Sequence, residues 1–166
     1  RAMPRILSEH PGAKLVIIGR GHMKAKLLKE AKKLSVSEAV FIKSGMSFGD
    51  LAQHFRSADL VIYPSYYEGQ GLIPLESMSS GTPIATVNMP PLTEMVTDSV
   101  GGLFEMGDAN DLARIVNIML ANPEKRDKQS KLGREMVLAK YTYEHNAKDF
   151  LAVYESIIGA KQTVQK

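Results

Sequence analysis

The chain has 166 residues, of which 44% are hydrophobic and 23% charged, and its 21 basic and 18 acidic side chains leave a net charge of +3. That length builds one compact core and is short for two domains, and the mild positive balance suits an anionic ligand without giving the footprint of a nucleic-acid binder. The absence of cysteine excludes disulfides, thiolate chemistry and cysteine-ligated metals, and no apolar run approaches the ~20 residues that span a bilayer.

The opening stretch, 1–10, has Met3, Ile6 and Leu7 near helical spacing and reads as the tail of a helix. The run 14–18 is short, β-branched and ended by glycine, as in a buried parallel strand. Apolar residues at 27, 28, 31 and 34 form a helical stripe over 24–34. A second strand is expected over 39–42. A helix over 47–57 follows, with Ser47 as N-cap and Asp50 at the capping-box position.

The third strand, 59–63, is stopped by Pro64. A helix over 72–80 carries Pro74 in its first turn, where proline is tolerated. Gly81-Thr82-Pro83 turns into a strand over 84–87, followed by a helical turn at 92–96 and a last strand at 103–105. Helices are expected over 108–121, 123–139 and 143–158, separated by Asn122-Pro123 and Tyr141-Thr142, with a frayed tail after Gly159. Alternating strands and helices imply an α/β fold, a doubly wound parallel sheet of Rossmann-like type with extra C-terminal helices. Ligands of such sheets sit at the carboxyl ends of the strands. The loops 19–23, 43–47, 64–71 and 87–91 and the turn after 105 are therefore the candidate site.

Among them, 64–83 is the most informative. Gly69 and Gly71 permit close backbone approach and unusual dihedrals, and the helix after them aims free N–H groups at the same place, a site for a diphosphate. Glu68 and Glu76, eight positions apart, are bidentate acceptors suited to ribose or sugar hydroxyls. Two plainer readings stand beside these. Glu76 can be an N3 residue capping its own helix, and Glu68 a solvated loop charge.

The stretch Glu68-Gly69-Gln70-Gly71-Leu72-Ile73-Pro74-Leu75-Glu76-Ser77-Met78-Ser79-Ser80-Gly81-Thr82-Pro83 resembles the E-x7-E region of the retaining glycosyltransferases of family 4. The usual form there is Glu-Gly-Phe-Gly-Leu-x-x-Leu-Glu-Ala-Met-Ala-x-Gly-x-Pro. The flanks are similar too: 15–21 as a strand followed by Gly-x-Gly, Ala58-Asp59 with Pro64-Ser65, then Glu94, Gly101-Gly102-Leu103-Phe104 and Asp108.

The resemblance implies the C-terminal, donor-binding domain of a GT-B glycosyltransferase over 1–159, lacking its first strand, with 160–166 as tail. The N-terminal acceptor domain is expected to lie outside these residues. The implied reaction moves a hexose from a nucleotide diphosphate sugar to an acceptor with retention, and the chain alone is expected to be inactive. Glu76 is then expected to hold the ribose hydroxyls, and Glu68, the catalytic candidate, to face the transferred sugar. The amides of Gly69, Gln70, Gly71 and Leu72 are expected to meet sugar hydroxyls and phosphate. Lys43 and Ser44 would lie beside the base, with Gly19 and Gly21 keeping the cleft wall flat.

No cofactor and no side-chain metal site are expected, the donor being a UDP-, GDP- or ADP-sugar. The expected partners are that donor, the N-terminal domain and a glycan or lipid-linked acceptor, with peripheral membrane contact through the absent domain. Nucleic acid is not expected, since the Lys-rich run 24–33 has no interleaved aromatics. The location implied is the cytoplasm or the cytoplasmic face of the membrane.

Three departures stand out. Gln70 replaces an aromatic residue, Pro90-Pro91 replaces a glycine pair and removes two N–H donors, and the basic pair that grips the diphosphate in relatives is expected ahead of residue 1, since Arg20 and Lys24 stand at other positions. His22 and His54 read as surface residues, and Tyr63 as strand-end packing. Two other readings remain open: a non-catalytic nucleotide-sugar-binding or partner-binding module, and a nucleotide-sugar epimerase of the same fold.

Overall fold

The computed structural model describes the backbone of residues 1–164 and the side chains of 1–159. The element order is α1 (Met3–Glu9), β1 (Leu15–Ile18), α2 (Lys24–Lys33), β2 (Val40–Lys43), α3 (Phe48–Ser57), β3 (Val61–Tyr63), α4 (Leu72–Ser79), β4 (Ile84–Val87), α5 (Leu92–Met95), β5 (Gly101–Phe104), α6 (Ala109–Leu120), α7 (Pro123–Lys140) and α8 (Tyr143–Val164). All strand pairs are parallel, in two sheets of order β1-β2 and β3-β4-β5. The expected α/β architecture is thus the observed one.

Local chemistry explains the helix starts. The Ser47 hydroxyl accepts from the Asp50 N–H at 3.1 Å, and the Ser47 N–H donates back to the Asp50 carboxylate at 3.2 Å. That reciprocal pair satisfies two otherwise orphaned donors at the head of α3. Asp108 caps α6 through the N–H groups of Asn110 and Asp111. Asn122 caps α7, whose first residue is Pro123; proline there gives up an N–H that the helix would not use.

β4 sits between two partners and is buried at all four positions. Its neighbours Met78 of α4, Leu92 of α5 and Phe104 of β5 complete the main core. A second cluster lies under β1, where Met3 and Ile6 of α1 meet Val36 and the Ala113 and Val116 side chains of α6. Full burial of each Met, Ile, Leu, Val or Phe side chain among them contributes roughly 1.5–3 kcal/mol.

Several boundaries differ from expectation. A 3-10 turn over Ser37–Ala39 takes up Ala39, so β2 runs one residue later than expected. β5 begins at Gly101, two residues earlier, because the sheet leaves no room for side chains there. A Cβ on Gly101 would lie 2.3 Å from the Ile84 carbonyl oxygen, and one on Gly102 would lie 2.7 Å from Ile115 Cγ2. α8 is described through Val164, beyond its expected end at 158; the last two residues of the expected tail lie outside the described residues.

Candidate functional site

Pro64 ends β3, and the chain then loops over 64–71 to the head of α4. Gly71 is the N-cap of that helix, with φ at +90°. A Cβ there would stand 2.7 Å from Met95 Cε and 2.9 Å from Leu92 Cδ2. Dihedral and space both select glycine at this position. The buried Gly71 anchors the loop, and the first N–H groups of α4 open beside it.

Glu68 is held inside its own loop. The Tyr63 hydroxyl donates to Glu68 Oε2, while the N–H groups of Gly69 and Gln70 donate to Oε1 at 3.0 and 3.4 Å. The Tyr63 hydrogen bond, helped by these amides, keeps the Glu68 carboxyl below the ordinary glutamate range. The same bond pushes the Tyr63 hydroxyl above its ordinary range. Glu68 is half-buried and therefore not the free solvated charge of the plainer reading. The loop amides converge on a negative oxygen, as an anion-binding nest does.

Glu76 is the fifth residue of α4, because the helix begins at Leu72. The N3 position belongs to Pro74, so the reading of Glu76 as a capping residue is corrected: it sits too far along the helix to reach the cap. Its side chain is exposed, with both carboxylate oxygens available as acceptors. Gln70 is exposed beside it, and Leu72 is 60% exposed at the helix head. Pro90 and Pro91, joined by a cis peptide bond, lead into α5, where Glu94 is exposed.

The other wall lies at the carboxyl ends of β1 and β2. Ile18, Gly19 and Arg20 face Ser44, Gly45 and Phe48 across an open cleft of about 240 Å³. Gly19 and Gly21 border open space, since a Cβ at either would meet nothing within 4 Å. Lys43 Nζ stands 3.1 Å from His54 Nε2, and His54 Nδ1 stands 2.8 Å from the Asp50 carbonyl oxygen. An ammonium only donates and a carbonyl only accepts. Nε2 is therefore the acceptor and Nδ1 carries the proton, which fixes both the ring and the lysine head. His54 is half-buried, a correction to its reading as a surface residue; its one sequence signal is the i, i+4 spacing from Asp50.

The structure thus brings Glu68, Gly69, Gln70, Gly71 and Leu72 together in one loop, with Glu76 one turn deeper along α4. Gly19, Lys43 and Ser44 stand at the ends of β1 and β2, in the other sheet, and Gly21 in the loop that follows. The two sequence-derived groups are not joined by a hydrogen bond among the described residues. Tyr63 and His54, which hold a member of each group, were not assigned those roles by the sequence. Among the described residues no three His, Asp or Glu side chains cluster to hold a metal ion, and no helix is long and apolar enough to cross a membrane.

A family model described as glycosyl transferases group 1 matches residues 1–136. An uncharacterized glycosyltransferase of Methanocaldococcus jannaschii is 33% identical over 156 residues, covering 93% of this chain and 40% of its own length. Glycogen synthase of Mycobacterium tuberculosis is 29% identical over 154 residues, covering 92% of this chain and 37% of its own. Among solved structures, the sucrose-phosphate synthase of Thermosynechococcus elongatus superposes with a TM-score of 0.84 at 25% identity, over 96% of this chain and 42% of that one. The chain spans about two fifths of the length of these relatives. The chain belongs to the glycosyl transferases group 1 family.

Proposed function

We propose that this chain is the donor-binding domain of a retaining glycosyltransferase, which moves a hexose from a nucleotide diphosphate sugar to a glycan or lipid-linked acceptor. The observation that carries the reading is the 68–72 loop. Its Gly69 and Gln70 amides already converge on a carboxylate oxygen at the head of α4, beside the exposed Glu76. In this reading a diphosphate takes the amides and the helix head. Ribose hydroxyls bond Glu76, the base lies along Lys43 and Ser44, and the transferred sugar faces Glu68.

The chemistry follows from that placement. As the glycosyl bond breaks, negative charge grows on the leaving diphosphate. The N–H dipoles at the α4 head meet it, joined by the Gly69 and Gln70 amides as these turn from Glu68 Oε1 to the phosphate. Glu68, kept ionised by Tyr63, lies beside the carbon that gains positive character. The acceptor binds elsewhere in the full-length protein, so this chain alone binds donor and transfers nothing. The reaction needs no bound metal in this reading, and it takes place in the cytoplasm or at the cytoplasmic face of the membrane.

Calorimetric titration with UDP, GDP and ADP and their sugars tests the reading. One nucleotide should bind selectively. Glu76→Gln should weaken it by roughly 1.5–3 kcal/mol, the range for hydrogen bonds to a charged group. Failure of every nucleotide to bind both this chain and the full-length protein sinks the proposal.

A further inference from the structure

Phenylalanine is a core residue by default, and the chain has five of them. Phe55 and Phe104, 9% and 2% exposed, belong to the interior. Phe48 is 92% exposed, so the fold buries almost none of its apolar surface. A single apolar side chain at the surface needs no explanation in itself. What sets Phe48 apart is its place. It lines the cleft at the carboxyl ends of β1 and β2, the pole at which α/β sheets bind their ligands.

Rigid backbone presents the ring. Phe48 is the first residue of α3, and the capping pair of Ser47 and Asp50 around it fixes the start of that helix. A helical side chain leans towards the amino end of its helix, here over the turn 44–47. On the opposite wall Gly19 contributes no side chain, and a Cβ there would meet nothing within 4 Å. Ile18, 37% exposed, and Leu51 give the same cleft an apolar lining.

The cleft holds about 240 Å³, less than the ~300 Å³ at which pockets for whole small ligands begin. It has room for one ring system and not for a complete nucleotide sugar. No carboxylate lines it. Arg20 supplies its one charged side chain, and a guanidinium stacks on flat rings as well as pairing with anions.

We propose that Phe48 is the stacking platform for the base of the nucleotide, a determinant of donor affinity that lies outside the loop 68–72. This rests on the donor reading above, in which the base lies at Lys43 and Ser44, in the turn that leads to Phe48. Every base has a π face, so the ring holds the base without choosing among bases. The choice falls to the base edge, where the Ser44 hydroxyl donates or accepts and the Lys43 ammonium only donates.

Phe48→Ala and Phe48→Trp in the full-length protein test this. The alanine variant should weaken whichever of UDP, GDP and ADP binds by roughly 5- to 150-fold, the range of one base–aromatic stack. Inorganic pyrophosphate has no base, and its binding should not change. Phe48→Trp restores a flat face and should restore nucleotide affinity. The 166 residues include no tryptophan, so the new indole reports from this cleft. Its fluorescence, taken as the difference from the unsubstituted protein, should be quenched by the nucleotide and not by pyrophosphate. With Phe48 so exposed, neither substitution should move the urea midpoint.

A nucleotide that binds Phe48→Ala with unchanged affinity, or binds Phe48→Trp without quenching it, overturns the stacking role and leaves the donor reading standing. An equal loss or an equal quench with pyrophosphate overturns it too, since the ring would then be sensing the anion. If no nucleotide binds the unsubstituted protein, the donor reading has failed and the role of Phe48 falls with it.

Discussion

The Tyr63 hydroxyl donates to Glu68 Oε2, and this one bond ties the last residue of β3 to the loop that precedes α4. It favours the ionised carboxylate and the protonated phenol together. Glu68 is lowered from an ordinary 4.5 and Tyr63 raised from an ordinary 10.0. For a carboxyl whose folded pKa is depressed, the linked stability is present above the ordinary value and lost as pH falls through the folded one. For the raised phenol it is present below the ordinary value and lost as pH rises through the folded one.

Tyr63→Phe should therefore move the Glu68 titration upward, towards 4.5, with the fold intact. Carbon-detected NMR of the Glu68 carboxyl reads this directly. The amides of Gly69 and Gln70 remain in the variant, so the return should be partial. An unchanged midpoint would show that Tyr63 does not set the charge of Glu68.

Gly71→Ala tests the anchor of the same loop. Alanine at a φ of +90° costs about 1–2 kcal/mol by backbone sterics alone. Displacing the Met95 and Leu92 side-chain ends adds strain of about 1–3 kcal/mol. Urea unfolding should show a loss within the sum of those ranges, and nucleotide affinity should fall with it. Gly69→Ala is the control, because a Cβ there meets nothing within 4 Å and its φ is not in the left-handed region. Equal losses at both positions would mean that the contacts of Gly71 are not what requires it.

Much of this fold was legible because local signals and tertiary demands agree. The Ser47–Asp50 spacing announces the head of α3, and the alternation of strands and helices announces the parallel pairing, whereas β1, expected as a buried strand, is exposed at Val16 and Ile18. β5 was read too short because glycine is a poor strand former in isolation. The reason Gly101 stands there, the carbonyl of Ile84 against its α-carbon, exists only once β4 and β5 pair. Within the site, the repeat of Glu68 and Glu76 was visible, yet their environments were not. Helix phase decides that Glu76 is past the cap, and a loop that folds back five residues decides that Glu68 meets Tyr63. The Lys43–His54 contact joins a strand end to a helix face across a turn, a relation that no periodicity encodes.

His54→Ala removes the acceptor that fixes the Lys43 head. The lysine keeps its charge but gains rotamer freedom, which must be lost again when a ligand binds. If Lys43 lies beside the base, nucleotide affinity should fall by roughly 0.5–1.5 kcal/mol, the cost of ordering one long side chain. Calorimetry should show the change mainly in the entropy of binding. Lys43→Ala in the His54→Ala background should then add little beyond Lys43→Ala alone. Fully additive losses would mean that His54 acts on the ligand by another route.

Gln129 gives the last prediction, since it joins α7 to the sheet. Its side chain is 2% exposed, and Nε2 donates to the carbonyls of Asp98 and Gly101 at 2.9 and 2.8 Å. Gln129 Oε1 has no partner among the described residues. Gln129→Leu keeps the volume, removes both donors and leaves two carbonyls unsatisfied beside β5. The expected loss is about 1–3 kcal/mol, partly offset because an unpaired buried oxygen goes with the amide. Gln129→Glu should be worse at neutral pH, because it removes the donors and buries a charge. Urea unfolding with an unchanged m-value reads the order wild type, Leu, Glu. A leucine variant as stable as wild type would mean that the two bonds contribute nothing beyond the desolvation of the amide that makes them.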